Sequence, residues 1–105
     1  MKKIYFISLI FFNSFGEIKI TKIQLNFDFE FAAKRSRTRL QNKNYKVTSM
    51  QKNYIEHIDD YLYSFKCTFV KESTKEEISS VLQSINCYYD SIDFFQNNNY
   101  LFSVR

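Results

Sequence analysis

The sequence predicts a small α+β protein, a ferredoxin-like mixed or antiparallel sheet covered on one face by one main helix. Three observations predict it. The segments Ile23 to Phe31 and Tyr61 to Phe69 alternate apolar and polar residues with the period of a half-buried strand. Ser73 to Ile85 pairs a capping pattern with apolar residues at helical spacing. Two short strand-like segments follow, so the C-terminal half reads as a β-α-β-β unit.

The elements can be justified in chain order. Met1-Lys2-Lys3, the apolar run Ile4 to Phe12 and the small residues Ser14 and Gly16 match the three parts of a secretory signal peptide cleaved before Glu17. The apolar run is well short of the roughly 20 residues needed to span a bilayer, so no stable transmembrane span is expected. As a first strand it would need burial on both faces, which is demanding in a chain of 105 residues. The expected organisation is therefore a signal peptide over 1–16 and a single α+β domain over 17–105, exported to a periplasm or secreted.

In the first strand, Ile23, Leu25, Phe27, Phe29 and Phe31 share one face. Ile18 and Ile20 have the opposite parity, which predicts a bulge or break near Thr21-Lys22. Lys34 to Asn44 reads as a polar loop or hairpin end, and Tyr45 to Ser49 as a weak strand. Gln51 to Asp60 fits either a short helical turn or an extended lead-in to the next strand. Within the helix, Ser73 with Glu76 or Thr74 with Glu77 supplies the capping box. Ile78, Val81, Leu82 and Ile85 form the apolar stripe. Cys87 to Phe95 reads as a strand, Gln96 to Asn99 as a turn, and Tyr100 to Val104 as a last strand with Tyr100, Phe102 and Val104 on one face. The crossover places the strands before and after the helix parallel. One helix covers only one face, so apolar residues such as Leu62, Val70, Tyr88, Ile92 and Phe94 are expected to leave a surface for a homodimer or another protein partner.

Composition narrows the chemistry. With one Gly and no Pro, turns rest on Asn, Asp and Ser, and a glycine-rich phosphate loop is excluded. The 12 Phe and 8 Tyr supply large buried area for a small core. Richness in Lys, Asn, Ile, Phe and Tyr also resembles the product of an AT-rich genome, which weakens any functional reading of composition alone. The net charge is +4; taking Lys2 and Lys3 from 15 cations against 11 acids leaves +2. The single His57, beside Glu56, Asp59 and Asp60, reads as part of a solvated segment rather than a metal or acid–base site. Cys67 and Cys87 lack zinc-site spacing. An exported chain invites a disulfide between them. However, adjacent parallel strands would hold the sulfurs roughly 20 Å apart, so two free buried thiols are expected. No catalytic constellation is visible, and the expectation is a non-enzymatic chain without metal or cofactor.

The candidate contact surface is basic. No acid occurs between Phe31 and Ile55, while Lys34, Arg35, Arg37, Arg39, Lys43 and Lys46 crowd that stretch. Such a loop suits an anionic polymer, either nucleic acid or anionic lipid, with Tyr45 and Tyr54 near enough in sequence to stack. The plain alternative is a solvated tip that keeps the protein soluble.

From Tyr61 to Arg105, the succession of strand Tyr63 to Val70, helix Lys75 to Ile85, strand Cys87 to Phe95 and strand Tyr100 to Val104 resembles a known periplasmic half-domain. That β-α-β-β unit occurs in assembly proteins of type IV pilus, type II secretion and DNA-uptake systems. The resemblance implies an accessory component of a cell-envelope assembly, acting through protein–protein contacts. The chain departs from those proteins in having neither their full transmembrane helix nor their coiled coil. Two functional expectations follow: an exported interaction module, or a basic domain that binds an anionic polymer.

Overall fold

The computed structural model describes residues 18–105. The expected signal peptide over 1–16 lies outside the described residues. The elements are β1 (Ile20–Phe27), α1 (Glu30–Asn42), β2 (Lys46–Val47), β3 (Gln51–Ile55), a single 3₁₀ turn (Glu56–Ile58), β4 (Asp60–Ser73), α2 (Lys75–Ser84), β5 (Ser91–Gln96) and β6 (Asn99–Val104). The described residues form an α+β fold with a six-stranded sheet and two helices.

The alternation in β1 works as the sequence predicts. Ile23, Leu25 and Phe27 are buried, and Gln24 and Asn26 face the other way. The β1–β4 ladder slips between Ile20 and Lys22, where the change of parity predicts a bulge. The strand stops at Phe27 instead of running to Phe31. The Asp28 N–H donates to the Asp90 carboxylate at 2.6 Å, and the chain turns there into α1.

α1 replaces the loop expected over Lys34 to Asn44, and the described residues hold two helices rather than one. Its buried residues are Ala33, Ser36 and Leu40, spaced by three and four positions. Two of the three are small, so the apolar stripe is faint in sequence although it seats the helix on the sheet. Glu30 lies in the first turn and Arg39 in the last, each favourable to the helix dipole.

α2 begins as its sequence dictates. Of the two candidate capping boxes, the chain uses Thr74 with Glu77. The Glu77 N–H donates to the Thr74 hydroxyl at 3.1 Å, and the Thr74 N–H donates to the Glu77 carboxylate at 2.8 Å. Ile78 and Leu82 within the helix and Ile85 just after it enter the core. Positive φ falls on Asn44, Asp59, Asn86 and Asn97, the residue types that tolerate it best after glycine.

Among the described residues all strand pairs are antiparallel, in the order β2-β4-β1-β5-β6, with β3 also pairing β4. β4 and β5 run in the same direction, as the crossover predicts, but β1 lies between them. β5 also starts later than expected, at Ser91. Cys87 is outside it, tied to α2 by its N–H to the Leu82 carbonyl at 3.0 Å. Gln51 to Asp60 resolves into both of its readings, a strand and then one helical turn.

Register fixes the two faces. Leu25 faces Phe65 on β4 and Ile92 on β5, and Ile23 faces Cys67 and Phe94; these side chains form the core with those of both helices. Ile92 and Phe94 are thus core, not an exposed apolar surface. The centre of the opposite face is polar: Asn26 Nδ2 donates to Ser91 Oγ at 3.0 Å and to Asp93 Oδ2 at 3.1 Å, and Ser103 Oγ donates to Asp93 Oδ1 at 2.6 Å. A register shift between Phe94 and Phe95 makes Leu101 an extra residue in β6. It puts Tyr100 against Phe95 and Phe102 against Phe94, so Tyr100 does not share a face with Phe102 and Val104.

Candidate functional site

The six basic residues do not form a loop. Lys34, Arg35, Arg37 and Arg39 are on α1, Lys43 follows it and Lys46 opens β2. Several have structural partners. Arg39 Nη1 donates to the Ile85 carbonyl at 2.8 Å, joining the C-terminal ends of the two helices. Arg37 Nε donates to the Thr48 carbonyl at 2.6 Å, holding α1 to the segment after β2. Lys34 pairs with Glu30 one turn back at 3.2 Å, and Arg35 lies over the Phe31 ring at 5.0 Å. Lys46 is exposed at the edge of a cleft. Tyr54, offered in sequence as a stacking partner, is on the β3–β4 hairpin against Tyr61, while Tyr45 packs edge-on to Phe69 at 5.6 Å.

That cleft, about 330 Å³, lies where β2 ends before β4 does. The β2 ladder reaches only Lys46 against Thr68, whereas β4 continues to Ser73. Beyond Thr68 the outer edge of β4 has no ladder partner among the described residues. Tyr45, Phe69, Ile78 and Val81 give the cleft its apolar side chains; Lys46, Lys71 and Glu77 give it charge. Glu77 is already committed to the cap. The N–H bond from Thr74 holds its carboxyl below the usual carboxylate range, and Lys71 and Lys19 act in the same sense. Phe69, Ile78 and Val81 are visible in sequence as core pattern. Their second role depends on β4 outlasting β2, which no local pattern reveals.

The two cysteines are buried free thiols in the same core. The separation of roughly 20 Å expected from strand spacing fails at its premise, because Cys87 does not begin a strand. Burial pushes the Cys67 thiol up to about 12, with the neighbouring Cys87 adding to the effect. Burial also raises Cys87, opposed by a hydrogen bond with Ser36 and by the charge of Arg39. Neither is poised as a nucleophile. Among the described residues, no group of three or more His, Cys, Asp or Glu side chains is arranged to hold a metal ion, and no helix is long and apolar enough to cross a membrane.

Comparison of the chain with protein-family models, curated proteins and solved structures finds no match.

Proposed function

We propose that this chain is a small, non-enzymatic interaction module, exported from the cytoplasm, that docks a protein partner in the cleft between β4 and α2. The observation that carries this reading is an apolar cleft placed beside a length of strand that has no outer ladder partner among the described residues. Such a pairing suits recognition of another chain rather than turnover of a small substrate. An accessory place in a cell-envelope assembly is the setting proposed for it, supported by the signal-like residues 1–16. The ferredoxin-like reading of the fold belongs to the same proposal; an antiparallel sheet carrying two helices supports it.

The alternative, binding of an anionic polymer through the basic cluster, is less favoured because Arg37 and Arg39 are bonded to backbone carbonyls. A photo-cross-linking residue at Val81, with a control at Gln24 on the polar sheet face, tests the proposal in the native host. Cross-links to one protein from Val81 alone, in a fraction outside the cytoplasm, are expected. Equal labelling from both positions, or an intact cytoplasmic chain, would overturn it.

A further inference from the structure

The geometry points to a specific occupant for the cleft: an extended protein segment carrying a large apolar side chain flanked by Asp or Glu. This inference rests on the proposed docking role of the same cleft and names the chemistry of the partner. Three observations support it.

The first is shape. A cleft of about 330 Å³ with Tyr45, Phe69, Ile78 and Val81 in its lining has room for one bulky apolar side chain. The second is the edge. Beyond Thr68, β4 runs on to Ser73 beside the cleft without a ladder partner on that side among the described residues. A segment lying along it in extended form meets backbone donors and acceptors, as in strand addition. The ladder to β1 is irregular opposite this stretch, between the Ile20–Ser73 and Lys22–Thr68 pairs, so main-chain pairing there is short and side chains must select the partner.

The third observation is charge. Lys46 and Lys71 are both exposed, and neither makes an ion pair among the described residues. The carboxylate in the lining, Glu77, accepts the Thr74 N–H and is itself held ionised by Lys71 and Lys19. The cleft therefore presents more positive charge than its own acid offsets. A partner with carboxylates on either side of its apolar anchor meets that charge, and a basic partner is repelled.

The test is selection of random peptides displayed on phage against the immobilised full chain, repeated with the K46E/K71E double variant. Both lysines are exposed, and circular dichroism and melting establish that the variant remains folded. The wild type is expected to enrich peptides with Asp or Glu next to Leu, Ile, Phe or Met. The double variant is expected to lose those peptides by about tenfold or more in affinity and to enrich Lys- or Arg-flanked ones instead. Enrichment of peptides of another composition, or of acidic peptides that bind both proteins equally, overturns the inference while leaving a docking role elsewhere. No enrichment with either protein overturns the inference; if Val81 also yields no cross-link in the host, the docking role falls with it.

Discussion

Cys67 shows how one buried side chain couples the fold to pH. Its thiol titrates near 12 in the folded protein, against about 9 for the free group. A proton held more tightly in the folded than in the unfolded state stabilises the fold below the unfolded value, and that contribution is lost as pH rises from about 9 towards 12. Stability should therefore fall on the alkaline side, and Cys67→Ala should flatten part of that fall, as urea melts from pH 8 to 11 will show. A thiol-specific reagent at pH 8 should label neither cysteine until the protein is unfolded. Arg39 gives a second residue-scale prediction. Its guanidinium satisfies the Ile85 carbonyl, so Arg39→Gln should destabilise the protein by about 1–2 kcal/mol, measured as a lower urea midpoint with unchanged slope. Had the basic cluster been a solvated tip, the same substitution would leave the midpoint in place.

The helices differ most in how much of them is legible. α2 declares itself because its signals are chemical and local: a hydroxyl at the cap, a carboxylate three residues on, and large apolar groups at helical spacing. Thr74→Ala should cost about 1 kcal/mol, seen as a lowered melting temperature. α1 hides because Ala33 and Ser36 reach the core by being small, a property invisible to a count of apolar residues. Ala33→Leu should therefore be worse than a neutral apolar swap, at about 1–3 kcal/mol of overpacking, read from the same urea melts. The strands fall between these extremes. β1, β4 and the bulge near Thr21 are legible from parity alone. The Leu101 bulge, and with it the face of Tyr100, follows from pairing with β5 that parity within β6 cannot encode. For the same reason Lys46 is legible in the sequence as a surface contact and Lys71 is not, because Lys71 joins it only through the overhang of β4.

At the scale of the molecule, β1 is the keystone: it is laddered to β4 on one side and β5 on the other. Strands β2, β3 and β6 lie at the margins, short or bulged. Native-state hydrogen exchange should find the slowest amides at Ile23 and Leu25 and their partners, and fast exchange along β3 and β6. Uniform protection across the sheet would contradict this hierarchy. Strand order was the least legible feature of the fold, because a helix between two strands says that they run the same way but not that a third lies between them.

The central place of β1 also constrains the life of the chain before it is folded. Leu25 must meet Ile92, which leaves the ribosome only after the intervening chain has been made. At about 5–20 residues per second, that is a wait of roughly 3–13 seconds. During that interval Ile23, Leu25 and Phe27 lack the β5 side of their core. A newly made chain thus stays open over that interval, exposed to chaperones and proteases, and the central part of its sheet closes only once β5 has left the ribosome.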